Sequence, residues 1–209
     1  MQNLLTGKKR LHGFTDEWKT VKLGEVCEYQ NGDSNEENII NNGNYLLITL
    51  NSIDINGRLK KEHKRINQGK PILYKNDIVM ILSDIAHGFL LGLSAVIDEN
   101  NKYILNQRVG LLRPKKQINS LFLSYLINLN QLYFKKHGQG SSQLNLSKGD
   151  IINFQLYIPL NIEEQNFIVK TISKADEEIE LLNKQLDLYT EQKKGLMQNL
   201  LTGKVRVTV

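Results

Sequence analysis

From Ile168 to Leu200 an apolar residue returns every three or four positions, and a seam of that length requires a second helix to cover it. It runs through Ile168, Ile172, Ala175, Ile179, Leu182, Leu186, Tyr189, Lys193, Leu196 and Leu200, and only Lys193 breaks it. Asn161, with Glu164 three residues on, predicts an N-cap and capping box. Glu163 and Glu164 suit the positive start of a helix dipole, and Lys193 and Lys194 its negative end. At 1.5 Å per residue, a helix from Ile162 to Leu200 is about 58 Å long, well beyond the usual globular helix. Lys193 has two readings: a polar seam residue that fixes register, or a lysine snorkelling from a frayed end.

Residues 1–8 read M-Q-N-L-L-T-G-K, and residues 197–204 repeat all eight. The chain thus begins with a final helical turn like the one that closes its long helix, each stopped by a glycine, Gly7 and Gly203.

The intervening residues predict an α+β unit, rich in strands and with one or more packed helices. Strands are expected within Lys19–Tyr29, Tyr45–Leu50, Pro71–Tyr74, Ile78–Leu82 and Phe154–Ile158, and a hairpin joins Leu93–Ile97 to Tyr103–Leu112 through residues 98–101. Phe122, Leu126, Leu129 and Tyr133 predict a helix over Ser120–Lys136. Residues 83–92 and 138–145 are expected to be polar, glycine-bearing loops. Three parts follow: residues 1–15 as helix end and linker, 16–160 as a globular domain, and 161–209 as the long helix.

Charge is uneven. Residues 1–160 hold 20 Lys/Arg against 14 Asp/Glu, a balance of +6, whereas residues 161–209 hold 7 against 8, a balance of −1. The densest run is Arg58, Lys60, Lys61, Lys64, Arg65, Lys70 and Lys75 against Glu62 alone, either a solvated face or a surface for a polyanion. No hydrophobic stretch reaches membrane length. With Cys27 the single cysteine and no signal-like N-terminus, a cytoplasmic setting without disulfides is expected.

Motifs for catalysis are missing from the sequence: no phosphate loop, no dinucleotide fingerprint, no nucleophile elbow and no zinc-protease helix. His12, His63, His87 and His137 stand singly, so no metal is expected. Pro71, Pro114 and Pro159 are isolated, which leaves no Asn/Asp-Pro-Pro-aromatic signature of an adenine methyltransferase. Recognition remains, with Ser, His, Gln and Asn in the two polar loops able to face base edges.

Several segments resemble type I restriction-modification specificity subunits. Q-K-K-G-L-M-Q-N-L-L-T-G-K-V-R-V over Gln192–Val207 is similar to the end of that family's conserved region, and I-P-L-N-I-E-E-Q over Ile158–Gln165 to its passage from strand into helix. Trp18, Leu23, Gly24 and Glu25 match its opening W-x-x-x-x-L-G-E, and Leu105–Val109 resembles a segment within its domain. The resemblance spans nearly the whole chain. It implies a non-catalytic subunit that reads double-stranded DNA and partners a methyltransferase subunit and a restriction subunit. S-adenosylmethionine and ATP are expected only on those partners. Family members carry two target-recognition domains and two antiparallel helices; this chain has one of each, which the resemblance reads either as a half-length subunit that dimerises or as the second half of a longer protein.

The expected base contacts are Ser83, His87, Gln107, Gln139, Ser141, Ser142 and Gln143, with Lys60, Lys61, Lys64 and Arg65 on phosphates. The seam residues Ile168, Ile172, Ile179, Leu182, Leu186, Tyr189, Leu196 and Leu200 are expected to pack antiparallel on a second copy, placing a domain at each end. The competing expectation is a coiled-coil scaffold whose basic surface reads no DNA sequence.

Overall fold

The computed structural model describes residues 2–85 and 88–204. In chain order the elements are α1 (Gln2–Leu5), β1 (Lys19–Lys22), α2 (Leu23–Val26), β2 (Cys27–Asn31), β3 (Ile39–Ile40), β4 (Tyr45–Ile48), β5 (Lys64–Ile66), β6 (Ile78–Ile81) and β7 (Ser83–Ile85). They continue as β8 (Ser94–Val96), β9 (Tyr103–Leu105), β10 (Val109–Pro114), α3 (Ser120–Leu129), α4 (Gln131–His137), β11 (Gln143–Asn145), α5 (Lys148–Ile152), β12 (Gln155–Ile158) and α6 (Ile162–Leu201). The fold is α+β, ending in a helix of 40 residues. Two compact units are present, residues 1–168 and 169–209.

Two four-stranded sheets, β2-β10-β6-β8 and β3-β5-β4-β9, build the first unit. Strand alternation explains how they pack. Val79 and Ile81 of β6, Ala95 of β8, and Val109 and Leu111 of β10 meet Ile48 of β4 and Leu105 of β9 in one buried cluster. Ile78 and Met80, the alternate residues of β6, are equally buried on its other face. Helix α3 is fastened to β8 by polar contacts: Asn128 Oδ1 accepts from Ser94 N at 2.8 Å, and the Ser94 and Ser124 hydroxyls lie 3.0 Å apart.

β1 pairs antiparallel with β12, Lys19 opposite Ile158. That pairing sets Trp18, just before β1, beside the first turn of α6. Glu164 is fully buried there; its carboxylate accepts from Arg10 Nε at 2.6 Å, Arg10 Nη2 at 2.8 Å and Trp18 Nε1 at 3.2 Å. The predicted capping box is therefore not made. Asn161 caps the helix by accepting from Glu163 N at 2.9 Å, while Glu164 is held by a distant arginine and indole instead. On the same side α1 packs near α3 and buries Leu5, and Gly7 sits at φ +69° over the Trp18 ring.

Several local expectations yield to longer-range pairing. Leu93–Ile97 and Tyr103–Leu112 form no hairpin: β8 pairs with β6, and β9 crosses to the other sheet, parallel to β4. The intervening turn bonds outward, with Asn100 Oδ1 accepting from Lys75 N at 2.8 Å, so its ends feed different sheets. Pro71–Tyr74 forms only the isolated bridge Ile72 to Ile104. Lys19–Tyr29 is broken by α2, where Gly24 lets Ile152 approach; a Cβ there would lie 3.0 Å from Ile152 Cβ. The Ser120–Lys136 helix divides at Asn130, whose Nδ2 donates to Leu126 O at 2.8 Å and competes with the helical ladder.

The seam also divides. Ile168 and Ile172 are each 2% exposed, so neither is free for a partner helix, whereas Ile179, Leu182, Leu186, Tyr189, Leu196 and Leu200 are 45–68% exposed. Among the described residues no helix is long and apolar enough to cross a membrane.

Candidate nucleic-acid interface

The two polar stretches expected to be separate loops are joined. β7 and β11 pair antiparallel, Ser83 opposite Asn145 and Ile85 opposite Gln143. Strand geometry then brings Gln143 Nε2 to Ser83 Oγ at 2.6 Å. Gln139 and Asn145 exchange two backbone hydrogen bonds of 2.9 Å, closing a loop over residues 140–144. Gly140, at φ +128°, is required because a Cβ would meet Gln143 O at 2.0 Å. Gln139, Ser141 and Ser142 are exposed on this loop.

Beside the pair opens a cleft of about 490 Å³, lined by Tyr29 and Asn31 of β2, Leu82, Ser83, Gln107, Arg108, Gln143, Asn145, Leu146, Ser147 and Lys148. Three expected base contacts, Ser83, Gln107 and Gln143, meet here. The lining contains two cations and no carboxylate, the balance an anionic ligand needs. Gln107 and Arg108 occupy the turn between β9 and β10, held by Leu82 N donating to Arg108 O at 3.0 Å and Val109 N to Asn106 O at 3.1 Å. Among the described residues the Arg108 guanidinium has no hydrogen-bond or ion-pair partner, so its donors are open to a ligand. Burial pushes the Tyr29 hydroxyl up to about 12; it stays protonated near neutral pH and donates to Asn31 Oδ1.

Arg108 also borders a second cleft of about 380 Å³, with Lys64, His63, Glu62, Glu36, Asn106 and Asn51 among its lining. This one is mixed in charge. Glu36 accepts from Asn106 Nδ2 at 3.1 Å, and burial lowers the His63 pKa, favouring the neutral ring. The four expected phosphate contacts do not form one patch. Lys64 lines the second cleft, and Lys60 and Lys61 are exposed nearby in sequence. Arg65 follows Lys64 on β5, so alternation turns it to the opposite face, where its guanidinium donates to Gly43 O at 3.2 Å. His87 lies outside the described residues.

Sequence reasoning missed Arg108, Lys148, Tyr29 and Asn31, and it counted Asn145 only among the polar loop residues. Arg108 had a signal, being next to Gln107 in the segment already singled out; the others reach the cleft only through β2-β10 and β7-β11 pairing. Among the described residues no group of three or more His, Cys, Asp or Glu could hold a metal ion.

Comparisons with known proteins converge. The chain is 23% identical over 197 residues to the type I restriction enzyme MjaVIII specificity subunit of Methanocaldococcus jannaschii, covering 93% of this chain and 44% of that protein. It is 23% identical over 216 residues to the putative MjaX specificity subunit of the same organism, with 96% and 46% covered. Among solved structures, one described as "Structural basis underlying complex assembly and conformational transition of the type I R-M system" superposes with a TM-score of 0.70 at 18% identity, covering 94% of this chain and 49% of that one. The type I restriction-modification S subunit from M. genitalium superposes at 0.63 and 17% identity, with 92% and 47% covered. The chain thus spans about half the length of the relatives it matches. The profile of the family described as "Type I restriction modification DNA specificity domain" matches residues 15–188, and the chain belongs to that family.

Proposed function

We propose that this chain reads one half of a bipartite DNA target for a type I restriction-modification complex and catalyses no reaction by itself. The acid-free cleft around Arg108 carries this reading. Gln107 and Gln143 have the bidentate amides suited to adenine edges, Ser83 can bond either partner of a base pair, and Arg108 and Lys148 supply charge for phosphates or guanine. The exposed loop residues Gln139, Ser141 and Ser142, with Lys60, Lys61 and Lys64, extend the contact surface. Methyl transfer and restriction belong to a methyltransferase subunit and a restriction subunit, which hold the S-adenosylmethionine and ATP.

Residues 1–15, 16–160 and 161–209 act in this reading as helix end, target-recognition domain and spacer. The exposed seam from Ile179 to Leu200 packs antiparallel on a second copy. Six exposed apolar positions on one helix face are an aggregation hazard unless covered, and a two-fold pairing covers both helices at once. A helix of 40 residues is about 60 Å long, enough to hold two recognition domains over half-sites one or more DNA turns of about 34 Å apart.

The test is selection of duplexes from a random library by the purified chain, followed by binding across a salt series. Enrichment of an interrupted palindrome is expected. Arg108→Ala should weaken binding and lower the salt slope by about one if Arg108 holds a phosphate. Gln143→Ala should relax preference at one position. Dimerisation without any enriched sequence would favour the scaffold reading instead.

A further inference from the structure

We propose that Phe89 reads the 5-methyl group of a thymine in the DNA major groove, close to the base pair addressed by Gln143. The inference rests on the DNA-reading function proposed above and adds to it an apolar contact on the far side of the β7-β11 ribbon.

Alternation gives that ribbon two unlike faces. Ser83, Gln143 and Asn145 turn to the acid-free cleft, so Asp84 and Leu144, opposite each other in the register, turn away from it. Residues 88–91 lie on the turned-away face. Leu90 N donates to Asp84 Oδ2 at 2.7 Å, and Gly88 comes so near that a Cβ on it would lie 2.8 Å from Leu144 Cδ1. From α4, Gln131 Nε2 donates to Phe89 O at 2.8 Å and to Leu91 O at 3.0 Å. The backbone on both sides of Phe89 is therefore fastened, while Phe89 itself is 70% exposed.

Single exposed apolar residues are ordinary, but Phe89 has company. At 3.6 residues per turn, Gln131, Lys135, Leu132 and Lys136 fall on one arc of α4, and Leu132 is 71% exposed. Lys135 Nζ stands 5.8 Å from the centroid of the Phe89 ring, so the arc and the ring form one surface. That surface has two large apolar groups and two lysines. The carboxylate its loop does touch, Asp84, is 9% exposed and already bonded to Leu90 N.

Apolar groups rimmed by cations suit a polyanion that also offers an apolar group, and the major-groove edge of DNA offers one, the thymine methyl. A two-stranded ribbon fits the major groove, which is about 12 Å wide. Gln143 on one face and Phe89 on the other then meet neighbouring base pairs, with Lys135 and Lys136 placed for the flanking phosphates. A layer laid on a strand sits up to about 10 Å from it, about three base pairs at a rise of 3.4 Å, which bounds the distance between the two contacts.

The test uses the full chain and the duplex it selects from a random library. Each thymine is replaced in turn by deoxyuridine, which removes the methyl and keeps every hydrogen-bonding group. One thymine per half-site, within about three base pairs of the position that Gln143→Ala relaxes, should lose about fourfold in affinity, the burial of one methyl. Phe89→Ala should bind the thymine and uracil duplexes equally, Phe89→Leu should keep part of the difference, and Arg108→Ala should keep all of it on weaker binding. An unfolding midpoint equal to that of the wild type, followed by Trp18 fluorescence, shows that the variants fold. If no duplex is selected, the DNA-reading function fails and this proposal with it. If a duplex is selected but no thymine is methyl-sensitive, or Phe89→Ala keeps the sensitivity, the proposal fails while that function stands. Weaker capture of a methyltransferase subunit by Phe89→Ala, with DNA binding unchanged, makes the surface a protein-docking site and overturns the proposal equally.

Discussion

Two stretches of this protein share eight residues and one backbone conformation, yet one is packed against Trp18 and α3 and the other stands in solvent at the end of α6. Leu5 and Leu201 differ in exposure by a factor of forty, 2% against 80%, with no difference in their own sequence. The local code of a helix end, a threonine back-bond followed by a left-handed glycine, is satisfied at both places. Burial is a separate matter, decided by what the fold brings alongside.

That contrast can be broken by paired substitutions, followed by urea unfolding at sub-micromolar concentration with Trp18 fluorescence. Arg10→Ala has the largest expected effect, about 3 kcal/mol, because it leaves the fully buried Glu164 carboxylate without its cation; Arg10 is partly exposed, which holds the value to the low end for a broken buried pair. Leu5→Ala should cost about 2 kcal/mol, the low end for a buried leucine since α1 has only one turn, against less than about 0.5 for Leu201→Ala. Equal values for the two leucines would mean that α1 is not docked in solution.

Gly7→Ala is expected to cost about 1–2 kcal/mol from the left-handed backbone, with crowding against the indole added; Gly203→Ala should only fray the last turn of α6, seen as faster amide exchange and not as a shifted midpoint. Thr6→Ala and Thr202→Ala should be the smallest and most alike, about 0.5 kcal/mol or less, since both lose an exposed hydroxyl bond to the carbonyl four residues back, Thr202 with a longer one to Asn199 O besides. A large gap between the threonines would show that the two helix ends differ locally after all.

Part of the cleft lining was visible in the residues before it was visible in space. Ser83, Gln107 and Gln143 stood out as amide and hydroxyl groups on polar segments beside glycines, and the fold gathers them around one cleft. The cleft's electrostatics were not legible. Arg108 and Lys148 lie 40 residues apart and meet only because β10 pairs with β6 while β11 pairs with β7. The basic run divides for the opposite reason: Lys64 and Arg65 are neighbours in sequence, and strand alternation sends them to opposite faces.

Periodicity, caps and glycine stops are local, and they determined the long helix, its terminal turns and the strand-rich character of the domain. The tertiary structure decided which strands pair, why Leu93–Leu112 splits between two sheets instead of closing a hairpin, and why Glu164 bonds Arg10 and Trp18 and not its own helix cap. It also decided where the seam becomes available, after Ile172 and not from Ile168. These outcomes depend on residues far apart in the chain, whose contacts form only once the loops between them have closed. For the same reason one octapeptide is buried and its twin is not: hydrogen bonds within four residues shape both, and only a neighbouring surface can cover one.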